Sequence, residues 1–351
     1  MKIEELLEIT VGQKASDLHL LVGLPPILRI NGELIPMSGR EALTEEKIKE
    51  LVFSLLTEEQ KEILLVNKEL DFSFDYSQKG RFRVNAYHQK GTLAAAFRLL
   101  PLTIPKIDEI NLPEICHQFV GLKQGFILVT GPTGHGKSTT LAAIIEEINQ
   151  TRPVHIITIE DPIEYVFFPK KAIISQREIR ADTHSWQIAL RSCLREDPDV
   201  VMIGEMRDYE TISSAITIAE TGHLVFATLH TNSAAQTIDR IIDVFPENQQ
   251  DQVKMQLSNT LEAILSERLL PSLEGGRIPA FEILVATPAV RTAIREGSTH
   301  LIDNIIQTSV ELGMKTLEMD LARLVRQGKI SLDTAKIYAQ RPEELMRQVK
   351  K

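Results

Sequence analysis

Hydrophobic and polar positions change rhythm along the chain, and each rhythm predicts a different kind of element. In residues 1–100 helical and strand patterns are short and mixed. Thr44 with Lys47, Leu51 and Leu55 predicts the opening of an amphipathic helix. Ile27-Leu28-Arg29-Ile30 and Glu33-Leu34-Ile35 flank Asn31-Gly32, a strong two-residue hairpin signal. Leu70-Asp71-Phe72-Ser73-Phe74-Asp75-Tyr76 and Arg81-Phe82-Arg83-Val84-Asn85-Ala86-Tyr87 alternate with period two, as half-buried strands do. In the second of these, Phe82, Val84 and Ala86 share one face. Arg81, Arg83 and Asn85 share the other, so two guanidiniums leave the same side of the strand.

Pro101, Pro105 and Pro113 then fix the backbone and interrupt both helix and sheet, which predicts a linker over residues 101–113. Beyond it, four continuous apolar runs alternate with helical patterns. They are Phe126-Ile127-Leu128-Val129, His155-Ile156-Ile157-Thr158-Ile159, Val200-Val201-Met202-Ile203 and Leu224-Val225-Phe226-Ala227-Thr228-Leu229. Such runs suit strands buried on both faces of a sheet between helices, so residues 114–351 read as an α/β domain. Trp186, Ala189, Leu190, Cys193 and Leu194 mark one face of a helix before the third run, and Arg191 and Arg195 another. From about Leu257 the pattern predicts mainly helix.

Composition narrows the class. The 351 residues are 43% apolar and 25% charged, enough for real cores and too apolar for disorder. No stretch approaches the length of apolar sequence that a membrane span needs. The opening Met1-Lys2-Ile3-Glu4-Glu5 lacks a secretory pattern, and a cytoplasmic protein is expected. Net charge is −9, with 14 basic against 17 acidic residues up to Leu112 and 25 against 31 beyond it. A protein built to wrap nucleic acid is more often basic, so no nucleic-acid partner is expected. Cys116 and Cys193 are the only cysteines, too few for a disulfide framework or a four-cysteine zinc site.

Gly131-Pro132-Thr133-Gly134-His135-Gly136-Lys137-Ser138 fits G-x-x-x-x-G-K-[ST] and lies between a strand run and a helical stretch that begins at Thr139. Glycines let backbone N–H groups curl toward phosphate oxygens, and the helix N-terminus adds positive potential. Lys137 would reach the β- and γ-phosphates and the Ser138 hydroxyl would ligate Mg²⁺, so ATP and Mg²⁺ are the expected cofactors. His135 stands where a small residue is expected. The second strand run ends in Glu160-Asp161-Pro162-Ile163-Glu164, where open α/β sheets bind ligands. Alone these acids serve equally as helix caps or surface charges. Val200-Val201-Met202-Ile203-Gly204-Glu205 resembles a Walker B strand with Gly204 in place of the usual Asp, which shifts the acid role to Glu205 and the earlier carboxylates. His223 and His230 bracket a strand. Seven residues at about 3.3 Å each put them roughly 23 Å apart on opposite faces, so they cannot share one metal ion. His230 could meet a phosphate, and either could be structural.

With these motifs together, the chain resembles the secretion-superfamily ATPases, and most closely the PilT family of type IV pilus retraction motors. The resemblance covers nearly the whole chain. It rests on Ala15-Ser16-Asp17-Leu18-His19-Leu20, Gly131 to Ser138, Ile159-Glu160-Asp161-Pro162-Ile163-Glu164-Tyr165 and Gly204-Glu205-Met206-Arg207-Asp208. Thr221-Gly222-His223, Leu229-His230-Thr231 and Ala293-Ile294-Arg295-Glu296 complete it. The resemblance implies a PAS-like α+β N-terminal domain, a RecA-like P-loop ATPase domain with a helical C-terminal part, and a homohexameric ring with nucleotide between subunits. It implies Glu164 and Glu205 as water-activating or Mg²⁺-organising acids, His230 near the γ-phosphate, and Glu160, Asp161, His223 and Thr139 at the nucleotide. Arg81, Arg83 and Arg98 match arginines that complete the site from the N-terminal domain. The implied partner is an inner-membrane pilus platform protein, met at the inner face of the cytoplasmic membrane, and the implied function is ATP-driven pilus retraction and twitching motility. Departures are His135, and Arg180 where a Gly often follows the Arg-Glu-Ile run. The alternatives are a pilus-assembly or type II secretion ATPase, which typically has a longer N-terminal region and a tetracysteine zinc element, and a weakly hydrolysing accessory subunit.

Overall fold

Thr44 and Thr57 start two neighbouring helices for the same physical reason: the first N–H groups of a helix have no partner within it. Thr44 accepts from the Lys47 N–H, and Thr57 forms a reciprocal capping box with Gln60. The computed structural model describes residues 1–30, 32–76, 80–100 and 103–350. Asn31 of the expected hairpin turn, and Pro101 and Leu102 of the expected linker, lie outside them.

The chain divides into two compact units, Met1–Thr103 with Glu164–Val166, and Ile104–Ile163 with Phe167–Lys351. The first holds helices α1 (Ile3–Gly12), α2 (Glu45–Phe53) and α3 (Glu58–Asn67). Its strands are β1 (Asp17–Leu20), β2 (Ile27–Ile30), β3 (Glu33–Pro36), β4 (Glu69–Tyr76), β5 (Gly80–Gln89) and β6 (Thr92–Leu100). They form an antiparallel sheet in the order β3-β2-β1-β6-β5-β4. Phe82, Val84 and Ala86 of β5 are fully buried with Leu6, Leu7, Ile48 and Phe97. Truncating Phe82 to Ala would cost about 3–5 kcal/mol. The opposite face carries the arginines, and Arg83 of β5 stands directly across from Arg98 of β6.

The second unit is built on a seven-stranded sheet, β13-β12-β7-β11-β10-β8-β9. Its strands are β7 (Gly125–Thr130), β8 (His155–Glu160), β9 (Ile173–Glu178), β10 (Val200–Ile203), β11 (Leu224–Leu229), β12 (Leu261–Pro271) and β13 (Arg277–Val285). Only β13 is antiparallel to its neighbour. The helices are α4 (Ile115–Val120), α5 (Lys137–Thr151), α6 (Trp186–Cys193), α7 (Tyr209–Glu220), α8 (Ala234–Asp243) and α9 (Glu247–Thr260). Then come α10 (Pro288–Arg295), α11 (Ile302–Thr308), α12 (Leu317–Arg326), α13 (Leu332–Tyr338) and α14 (Pro342–Lys350). β7, β11, β10 and β8 are buried along nearly their whole length, as their continuous apolar runs predict. Because these strands are parallel, the loops after Thr130, Glu160, Ile203 and Leu229 all leave the same edge of the sheet.

The expectation of helix from Leu257 is corrected. Residues 261–271 and 277–285 are strands, and the helical part begins at Pro288. Leu261, Ile264, Leu265 and Leu269 fall at spacings of three, one and four, which mimic a helix. Moreover β12 buries Ser266, Glu267 and Arg268 in succession, so no polar face alternates with an apolar one. Leu194 is also corrected: it follows α6 rather than extending its buried face, and is exposed. Among the described residues no helix is long and apolar enough to cross a membrane.

Candidate active site

The loop between β7 and α5 is shaped by what lies under it. Gly131 and Gly136 have φ of +143° and +100°, in the region that favours glycine. A Cβ at Gly131 would stand 2.4 Å from the carbonyl oxygen of Glu267, and one at Gly136 would stand 2.3 Å from its Oε1. Both ends of the loop therefore rest on one residue of β12, the strand the sequence pattern disguises. Lys137, at the first position of α5, donates from Nζ to the carbonyls of Gly131 and Pro132, each at 2.9 Å.

Three strand ends bring three chemistries together. His230, just past β11, sets Nδ1 3.5 Å from Lys137 Nζ and 3.5 Å from Thr133 Oγ1. Its Nε2 lies 3.3 Å from Oε2 of Glu205, two residues beyond β10. The other Glu205 oxygen pairs with Arg207 at 2.6 Å. A base-capable carboxylate, an imidazole and the P-loop ammonium thus form one chain across the sheet edge. Glu160 ends β8 and is buried, accepting from the Thr158 hydroxyl at 2.7 Å and from the Gln176 amide at 3.2 Å. Gly204, just past β10, lies beside it: a Cβ there would stand 3.4 Å from the Glu160 Cα, an ordinary van der Waals distance. Ser138 and Thr139 occupy the first turn of α5, and Asp161 is exposed at the end of β8. Ser138 and Glu205 offer hard oxygen donors, which suit Mg²⁺. Among the described residues no group of three or more His, Cys, Asp or Glu could hold a metal ion.

Other sequence-predicted residues lie elsewhere. His223 precedes β11 at the opposite end of that strand from His230, and its Nδ1 faces the Ile218 carbonyl and the Thr221 hydroxyl, each at 3.0 Å. It is not brought to the P-loop. Glu164 belongs to the segment grouped with the first unit, which also holds Arg81, Arg83 and Arg98. Arg81 bonds Asp75 and Ser73, and Arg98 pairs with Asp17 at 3.0 Å, while Arg83 is exposed.

His135 turns onto the strand beside the loop. Its Nδ1 accepts from the Leu269 N–H at 3.0 Å, and its ring meets Tyr338 edge-on at 6.3 Å. Burial, then Arg268, Lys137 and Arg277, hold its pKa below the usual histidine value, which suits a neutral ring acting as acceptor. Pro132, His135, Asn232, Arg268, Tyr338 and Gln340 are among the residues lining a cleft of about 570 Å³. Sequence reasoning missed Glu267 and Arg268. The available signal was a charged pair set inside an otherwise apolar stretch. Arg268 binds Asn232 through its carbonyl at 3.0 Å and its side-chain oxygen at 2.9 Å, which ties β12 to the loop after His230.

With this geometry in place, relatives can be compared over both units. The family described as Type II/IV secretion system protein matches residues 111–275. The type IV pilus retraction ATPase PilT of Pseudomonas aeruginosa is 45% identical over 343 residues, 98% of this chain and 99% of its own. A twitching motility protein of Neisseria gonorrhoeae is 47% identical over 321 residues, 91% of this chain and 86% of its own. A crystal structure of the pilus retraction motor PilT with bound ADP superposes with a TM-score of 0.94 at 46% identity, covering 99% of each chain. A P-loop, an acid and a histidine assembled at one sheet edge, within a likeness that runs the length of both units, establish that this chain belongs to the PilT family of pilus retraction ATPases.

Proposed function

We propose that this chain is an ATP-hydrolysing ring motor that drives type IV pilus retraction and so twitching motility. The observation that carries the reading is the extent of the likeness: 98% of the chain matches a retraction ATPase, not the P-loop unit alone. A weakly hydrolysing accessory role is disfavoured because Lys137, Glu160, Glu205 and His230 are all present and three of them form one linked cluster. In this reading the first unit is PAS-like, the second RecA-like, and six copies form a ring. The ring works in the cytoplasm, against a platform protein at the inner face of the membrane.

The chemistry follows from the charge problem of phosphoryl transfer, in which catalysis is positioning plus neutralisation. The loop N–H groups and Lys137 hold the β- and γ-phosphates, and Ser138 and Glu205 are the residues that would hold Mg²⁺. Bound there, Mg²⁺ supplies neutralisation of charge on the phosphate oxygens. Glu205 orients the attacking water, and His230 bridges it to the P-loop. Asp161 extends the acidic lining, Thr139 lies at the nucleotide with the loop, and Glu164 is the second acid that the resemblance implies for activating water or organising Mg²⁺. Arg81, Arg83 and Arg98 complete the site from a neighbouring subunit, so that ATP binding draws that unit in and product release frees it.

The test is complementation of a retraction-deficient strain, with ATPase assays on the purified chain. Restored twitching and phosphate release are expected. Hydrolysis without twitching would point to an assembly or secretion ATPase, and neither activity would refute the motor.

A further inference from the structure

Glu267 is 2% exposed, yet it lies against the phosphate-binding loop at both of its ends. Its carbonyl oxygen occupies the space beside Gly131, its Oε1 the space beside Gly136, and its Oε2 accepts from the Thr140 hydroxyl at 2.7 Å. Thr140 is one turn into α5, the helix that begins where the loop ends and whose N-terminus favours bound anions. One side chain therefore sets the loop and the helix together. We propose that Glu267 is a positioning residue of the nucleotide site that works in its neutral, protonated form, and that its ionisation weakens binding of a nucleoside polyphosphate.

The argument is electrostatic and geometric. A buried carboxylate behind Gly136 adds negative charge close to a loop that must accept phosphate, and it offsets part of the Lys137 charge. A neutral carboxyl keeps the Thr140 hydrogen bond and the steric support without that opposition. Burial does favour the neutral form, pushing the Glu267 pKa up to about 7, while the Thr140 hydrogen bond and Lys137 pull it down. The charged or titratable groups around it are Lys137 on α5, Arg268 on its own strand and Cys116 on α4. The Arg268 guanidinium bonds the Glu267 carbonyl. The Cys116 thiol is pushed up to about 12, chiefly by burial and next by Glu267, and stays neutral. Bound phosphate raises the Glu267 pKa further, so above neutrality binding takes up a proton.

This inference rests on the proposed ATPase reading, and ADP titrations across about pH 6 to pH 9 separate the two. The titration of ADP itself is common to every variant and cancels in comparison. Relative to Glu267→Gln, wild-type affinity should fall above about pH 7, by up to about tenfold per pH unit. Calorimetry in buffers of different ionisation enthalpy should find extra proton uptake by the wild type alone. Thr140→Val removes a bond that favours the ionised form, so its break should move to higher pH; this second variant decides the matter if Glu267→Gln does not fold. Superimposed pH profiles for wild type and Glu267→Gln, or an unmoved break in Thr140→Val, would overturn the role of Glu267 alone. No ADP binding by the wild type at any pH would overturn both this role and the ATPase reading beneath it.

Discussion

Lys137 and Glu205 sit at two ends of one contact chain through His230, yet their chemistry predicts different losses. In its proposed role Lys137 makes a charge-assisted phosphate contact worth about 1.5–3 kcal/mol, so in Lys137→Ala ATP affinity should fall by roughly tenfold to a hundredfold and hydrolysis should vanish. Glu205→Gln keeps the shape and loses the acid function: ATP should bind nearly as well while turnover drops by about 10²–10⁴. Equilibrium binding and phosphate release distinguish the two, and wild-type turnover in Glu205→Gln would mean another group carries the acid role. Arg180 supports a prediction of opposite sign. It holds φ at +73° in the turn between Glu178 and Thr183, in a region that disfavours residues with a Cβ by about 1–2 kcal/mol. Glycine relieves that strain but gains freedom when unfolded, which leaves about 0.5–1 kcal/mol of net stabilisation. Arg180→Gly should raise the Tm by about 1–4 °C in a thermal melt. A lower Tm would show that the guanidinium makes a contact worth more than the strain. The unusual residue was legible in the sequence; the backbone angle that makes it costly was not.

At the scale of elements, α10 shows how spacing alone misleads. Thr287 caps it by accepting from the Val290 N–H, Pro288 opens it, and Val290 and Ile294 are buried, all as residue types predict. Arg291 and Arg295, four apart, read as one basic face. Instead Arg291 donates to the carbonyls of Ser258 and Asn259 at the end of α9 and to Glu262, while Arg295 is bonded to Thr292 of its own helix. Arg291→Ala should therefore cost about 1–3 kcal/mol of stability. Arg295→Ala should leave folding and most ATPase activity intact while stopping retraction, since Arg295 is exposed and its hydrogen bond stays within its own helix, where a partner can meet it. Chemical denaturation and paired ATPase and twitching assays check both. Equal loss of hydrolysis and twitching in Arg295→Ala would put the residue in the catalytic machinery. The same contrast explains which elements the sequence revealed. β7, β8, β10 and β11 were legible because they are buried on both faces and their apolar runs are unbroken by charge, Glu160 standing only at the last position of β8. β12 was not, because it carries Glu267 and Arg268 inward to meet the P-loop and the His230 loop, and local pattern cannot anticipate partners that distant in sequence.

For the whole molecule, the proposed motor assigns arginines of the first unit to the nucleotide site of another copy of the chain. The strand parity that put Arg81 and Arg83 on one face was readable from sequence, and the pairing of β5 with β6 adds Arg98 to that face. Which copy of the chain those arginines serve is a property of assembly, and no single-chain pattern encodes it. Arg83 is the informative probe. Arg98 pairs with Asp17, which Arg29 also approaches at 4.0 Å, and Arg81 pairs with Asp75, so removing either disturbs an ion pair of the fold, whereas Arg83 is exposed. Arg83→Ala and Lys137→Ala should each be nearly inactive alone. If a site takes its P-loop from one subunit and its arginine from the next, equal mixing leaves about a quarter of the interfaces with both groups intact. Hydrolysis should then recover to roughly that fraction when the two proteins are mixed and rings are reassembled. If instead both groups act within one chain, every subunit in the mixture lacks one of them and activity stays at the level of the parents. Mixed rings verified by native mass spectrometry, with no recovery, would therefore place Arg83 in its own subunit's chemistry or outside the reaction altogether.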